Sequence, residues 1–157
     1  MKIVFLALLS FFLVACDNNA SGEAVKEDSL HHLVIVSRDG KRHDFKIELA
    51  LTRQEQAKGL MNRTEMAKDA GMLFFFRQEE ERSFWMKNTL IPLDMIFIRK
   101  DGSIGKVHDS AKPQDLTSVK SDGPAMAVLE LNGGVAKKLG IVAGDTVHHT
   151  FFGNEVR

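Results

Sequence analysis

Between positions 43 and 51 the chain alternates. Phe45, Ile47 and Leu49 fall on one side and Asp44, Lys46 and Glu48 on the other, the period-two pattern of a half-buried strand. Upstream, Leu33-Val34-Ile35-Val36 is a largely β-branched run, and Asp39-Gly40 supplies a two-residue hairpin turn in which both positions favour positive φ. Thr52-Arg53-Gln54-Glu55 fits a capping box and predicts a short helix ending near Gly59. A further helical turn is predicted over 64–68, headed by Thr64. The run Met72-Leu73-Phe74-Phe75-Phe76 is too continuously apolar for a one-sided strand and belongs deep in a core.

Strands are predicted over 84–87, over 93–98 after Pro92, and over 104–108 after a second Asp-Gly turn at Asp101-Gly102. Residues 112–122 read as a long polar loop, and Ser121-Asp122-Gly123-Pro124 has the composition of a tight turn. A strand over 125–131 precedes a short helix at 135–139, which Gly140 stops. Gly144-Asp145 then turns into a last strand over 146–152. Many short strands, two or three short helices and no βαβ rhythm predict a mostly β (α+β) domain, a compact antiparallel, barrel-like coiled sheet.

The first fifteen residues stand apart. Lys2 is followed by an apolar stretch from Ile3 to Val14, broken only by Ser10. That is short of the about 20 residues a spanning helix needs, and has the length of a secretory h-region. It ends in Leu13-Val14-Ala15-Cys16, which resembles the lipobox of bacterial lipoproteins. The resemblance implies cleavage before Cys16 and a diacylglyceryl group on its sulfur; the alternatives are an ordinary signal peptide or an uncleaved anchor. Cys16 is the only cysteine, so once acylated it leaves no thiol for disulfide, metal or nucleophile chemistry. Residues 17–30 are small and polar and read as a tether. The expected organisation is a signal peptide at 1–15, a lipidated cysteine and tether at 16–31, and one β-rich domain at 32–153. The expected location is the cell envelope, lipid-anchored on the outer face of the cytoplasmic membrane. Asp17 after the cysteine resembles an inner-membrane retention signal.

Charge narrows the function classes. Lys plus Arg equals Asp plus Glu at 21 each, so there is no electrostatic case for nucleic acid. The run Glu79-Glu80-Glu81-Arg82 is expected to be a solvated loop. The six histidines show no metal-ligand spacing, and no glycine-rich phosphate loop is evident, so neither metal nor cofactor is expected.

The candidate chemistry lies in residues 83–97, where the only tryptophan, a lysine and an aspartate sit within apolar sequence. On a strand Ser83, Trp85 and Lys87 share a face, but four residues span about 13 Å, too far for a Ser–Lys dyad. A buried or half-buried Lys87–Asp94 ion pair that fixes register is favoured over a catalytic pair. Alternatively, Asp94 accepts amides of the Asn88-Thr89 turn. A core role for Trp85 is favoured over a stacking floor.

Several stretches carry a family likeness. They are Gly59-Leu60-Met61-x-Arg63, Gly71-Met72-Leu73-Phe74-x-Phe76, Phe84-Trp85-Met86-Lys87-Asn88-Thr89-x-Ile91-Pro92-Leu93-Asp94, Ser121-Asp122-Gly123-Pro124-Ala125 and Leu139-Gly140-Ile141-x-x-Gly144-Asp145. In this order they resemble the bacterial and archaeal family called domain of unknown function 192, from about Val34 to Val147. The resemblance implies a compact β-rich domain, often exported, with no established reaction. Members often carry cysteine in the loop near 110–118, which here has none. The leading expectation is a non-enzymatic, membrane-tethered module that binds a small ligand or an envelope protein. Its ligand-binding residues would be Trp85, Lys87, Asn88, Thr89, Asp94 and Asp122. One alternative is an envelope-polymer hydrolase using Asp94 and Asp122 with Lys87. The other is a purely structural domain.

Overall fold

Leu33, Ile35, Phe45 and Ile47 are the buried members of an antiparallel pair, β1 (His31–Val36) and β2 (Arg42–Ala50), in which Leu33 faces Phe45. This computed structural model describes residues 30–155; the expected signal peptide at 1–15, Cys16 and the expected tether as far as residue 29 lie outside them. After β2 come α1 (Arg53–Lys58), β3 (Ala70–Phe84), β4 (Leu93–Ile98), β5 (Ile104–Ala111), β6 (Val119–Asn132), α2 (Val135–Leu139), β7 (Thr146–His148) and a 3-10 turn over Thr150–Phe152. The strands form one sheet in the order β5-β4-β6-β3-β2-β1-β7. Only the β2–β3 pairing is parallel, and α1 lies in its crossover. The fold is a mostly β, strongly curled half-barrel with two short helices.

The two edge strands meet at one end. Ser103 bridges Thr146, Ile104 donates its amide to Asp145 at 2.8 Å, and Val147 donates to Gly102 at 2.8 Å. Inside the curl Leu33, Ile35, Phe45, Ile47, Leu73, Ile96, Leu129 and Leu131 form one apolar cluster, with Val135 and Leu139 of α2 against it. The opposite side chains of the same strands, Met72, Phe74, Met95, Phe97 and Val128, form a second cluster with Leu60, Met86 and Ile91. β4 is therefore buried along its whole length, which explains its uninterrupted hydrophobicity apart from Asp94.

Several local expectations are corrected. No helix forms at 64–68; the segment is irregular and held to β6, the carbonyls of Met66 and Ala67 accepting from Asn132 Nδ2 at 3.3 and 2.8 Å. The charged run 79–82 is strand, not loop, exposed at 79–81 and half-buried at Arg82, because β3 continues along β6 through two register shifts. That strand ends at Phe84, so 85–87 lies outside it. Ser121–Pro124 is not a tight turn but part of β6, with Asp122 (φ 54°) and Gly123 (φ 143°) absorbing the irregularity. The Thr52 capping box forms, with Thr52 Oγ1 accepting from the Glu55 amide and Glu55 Oε2 from the Thr52 amide. Gly140 closes α2 at φ 74°.

Candidate functional site

β3 ends at Phe84, and the segment 85–92 then crosses the second apolar cluster. Met86 is its buried anchor, while Trp85 and Lys87 on either side point outward. Backbone bonds hold the segment in place. Met86 donates to Asp115 at 2.8 Å, Thr89 to Met86 at 3.1 Å, and Gln114 to Thr89 at 3.0 Å, while Asn88, at φ 55°, accepts from Asn62 at 2.8 Å. Across from it, α1 is clamped to the sheet by Gln56 Nε2, which donates to the carbonyls of Ala50 and Phe75.

Between these walls is a cleft of about 420 Å³, lined by Leu60, Phe74, Phe76, Phe84, Trp85, Lys87, Thr89 and Glu130 among others. Trp85 is 52% exposed, and Lys87 Nζ stands 5.3 Å from its ring centre. Thr89 Oγ1 donates to the Lys87 carbonyl at 3.3 Å, but no described residue pairs with the Lys87 ammonium by hydrogen bond or ion pair. Arg82, also on the cleft, lies 3.9 Å over Phe76 and is committed to Glu80 and to the carbonyls of Ala125 and Gln78.

Glu130 is the group that sequence reasoning missed. On β6 its neighbours Leu129 and Leu131 face the inner cluster, so Glu130 points to the other side, between Met72 and Met95 of the flanking strands. It is 5% exposed and lines the cleft, yet no described residue gives its carboxyl a hydrogen bond or a countercharge. Burial alone pushes its carboxyl up to about 8, so it is largely protonated at neutral pH. The sequence did carry a signal. Glu130 interrupts the apolar run Ala125–Leu131, and an isolated charge there is costly unless it is used.

The family model described as "Uncharacterized ACR", domain of unknown function 192, matches residues 34–149. The chain belongs to this family. A crystal structure from Sinorhizobium meliloti, provisionally described as a transcription regulator, is similar at 39% identity and TM-score 0.76, covering 78% of this chain and 95% of its own. A protein of unknown function from Novosphingobium aromaticivorans is similar at 44% identity and TM-score 0.74, covering 76% of this chain and 85% of its own. No curated protein matches the chain significantly.

Within this member of domain of unknown function 192, the Trp-Met-Lys-Asn-Thr stretch forms one wall of the cleft. Trp85, Lys87 and Thr89 line it, and Asn88 sits at the turn with its Nδ2 3.9 Å from Met61 Sδ. Trp85 is thus not a core residue, because it lies beyond the end of β3 on a segment whose buried anchor is Met86. Asp94 is fully buried and forms no pair with Lys87. Its Oδ1 accepts the amides of Ser110 (2.8 Å) and Gly134 (2.7 Å), and its Oδ2 that of Ala136 (2.7 Å). These amides belong to the start of α2 and the end of β5, not to the Asn88-Thr89 turn. Burial raises the Asp94 carboxyl above its ordinary value, against the opposing pull of those three donors.

Asp122 lines a different cleft, of about 350 Å³, where it pairs with Lys106 at 2.7 Å. Asp94 lines neither cleft. Trp85, Lys87 and Thr89 therefore line one cleft, Asp122 lines another and Asp94 lines neither. Ser83 also lines the first cleft, its hydroxyl hydrogen-bonded to that of Ser118.

Proposed function

We propose that this protein is a membrane-tethered envelope module, anchored through a lipid on Cys16, that binds a small ligand in the cleft of Trp85, Lys87 and Glu130. The observation that carries the binding half is Glu130. A buried carboxyl without a partner destabilises a fold, and this one opens on a cleft rather than being sealed in the core. Beside it stand an exposed tryptophan and an unpaired lysine, a few polar groups in an apolar concavity, as ligand sites are built. The tether half rests on Leu13-Val14-Ala15-Cys16 and the polar stretch after it.

The hydrolase alternative loses its carboxylate pair, since both Asp94 oxygens are occupied by amides. The description of the Sinorhizobium relative draws no support from this chain, whose basic and acidic residues balance at 21 each.

The experiment is a thermal-shift screen of the membrane-extracted protein against small metabolites, repeated on Trp85→Ala. A ligand at 100 times its Kd stabilises by about 2.7 kcal/mol. Hits that shift the parent and not Trp85→Ala support the reading. No hit, with the cleft variants neutral in the cell, makes the domain purely structural. Separately, Cys16→Ser should move the protein from the membrane fraction to the soluble one.

A further inference from the structure

We infer that the cleft recognises a ligand with a protonated amine head on an apolar body, the ammonium docking on Glu130 and the body on the aromatic walls. This rests on the ligand-binding reading above. It commits that reading to a chemical class.

Three observations converge on a cation. Among the described residues Glu130 is the one buried charge-capable group lining the cleft; the others there, Lys58, Glu81 and Lys87, are exposed and Arg82 is half-buried, and none of them pairs with its carboxyl. An ammonium supplies the missing countercharge and hydrogen bond together. Next, four aromatic side chains, Phe74, Phe76, Phe84 and Trp85, line the same cleft, and ring faces attract cations. Two of them already do so here, Phe76 under Arg82 and Trp85 under Lys87. The remaining pair, Phe74 and Phe84, pack edge-to-face at 5.1 Å, and no described cation lies over either. Finally, an anionic head would have to enter an apolar floor beside a carboxyl, and would forfeit binding whenever Glu130 ionised.

The linkage follows from the proton on Glu130. Below its value of about 8 the free protein is mostly protonated there, and an arriving ammonium displaces that proton to solvent. Apparent affinity then rises about tenfold per pH unit below that value and levels off above it. An alkylamine stays protonated across this range, its own pKa being about 10.4.

The test is titration calorimetry of the full-length protein in detergent, with phenethylamine, 2-phenylethanol and 3-phenylpropanoate as probes. It is run from pH 6 to 9 in buffers of different ionisation enthalpy. We expect phenethylamine to bind best, to release close to one proton at pH 7, and to tighten with pH. Glu130→Gln should weaken it at least tenfold at pH 8 and remove both the proton release and the pH slope. Tighter binding of the acid or the alcohol, or proton uptake, would overturn the amine assignment while leaving the cleft a binding site. If no probe binds and Trp85 fluorescence is unmoved by any, the cleft reading itself fails.

Discussion

Asp94 Oδ2 accepts the amide of Ala136 at 2.7 Å, from 42 residues earlier in the chain. With Oδ1 on Gly134 and Ser110, this one carboxylate caps α2, whose own N-cap Gly134 offers no side-chain acceptor. Removing it strands three amides around a buried site. Each unsatisfied group costs about 1–3 kcal/mol, so Asp94→Ala should lose about 3–5 kcal/mol in urea unfolding. A loss below about 1 kcal/mol would mean that the amides find other acceptors. Asp94→Asn, which keeps one carbonyl oxygen, should fall between the two.

Glu130 makes stability depend on pH with a definite sign. Its value rises from 4.5 unfolded to about 8 folded, so its contribution is complete below pH 4.5 and is lost as pH rises through 8. The full swing is on the order of 4–5 kcal/mol. Glu130→Gln should remove this slope and be more stable than the parent at pH 9. The check is denaturant midpoints of both proteins between pH 5 and 9. Parallel profiles would show that Glu130 ionises freely.

Lys87→Met separates architecture from function. A lysine stranding a buried partner would cost about 3–5 kcal/mol. Lys87 is exposed and has no such partner among the described residues, so unfolding free energy should stay within about 0.5 kcal/mol of the parent. A large loss would restore the ion-pair reading.

Trp85 is the only tryptophan, which makes intrinsic fluorescence a report on the cleft alone. At 52% exposure its emission should be solvent-like and readily quenched by acrylamide, and Trp85→Ala should cost at most about 1 kcal/mol. Blue-shifted, protected emission would place the ring in a core.

Gly71 of β3 leaves no room for a side chain against β6. A Cβ there would come within 2.6 Å of the Glu130 carbonyl oxygen and 2.7 Å of Leu131 Cδ2. Gly71→Ala should therefore destabilise by about 1–3 kcal/mol, measured by thermal or urea unfolding. A neutral result would mean that the two strands can part without loss.

Periodicity made the strands legible where one face is apolar. The alternation at 43–51 became β2, and the solid run at 93–98 became the doubly buried β4. It failed where tertiary partners decide. Nothing local says that Asn132 takes the carbonyls of Met66 and Ala67, or that a polar 79–82 pairs onward with β6. The site was half legible for the same reason. Trp85, Lys87 and Thr89 are close in sequence and share a wall. Asp94 looked like their partner only because it is near in number, while Glu130, their neighbour in space, lies on another strand.

The position of Glu130 has a consequence for selectivity. β6 runs between β3 and β4 in mid-sheet, so the floor should be among the last amides to exchange with deuterium. On the rim, Trp85 and Lys87 lie outside the strands, and their own amides should exchange earlier than the hydrogen-bonded amides of Met86 and Thr89. For the proposed amine, discrimination between head groups would then be made by a rigid frame, while the tail would meet exposed side chains that can re-orient. A receptor built this way would be strict about one end of its guest and tolerant of the other.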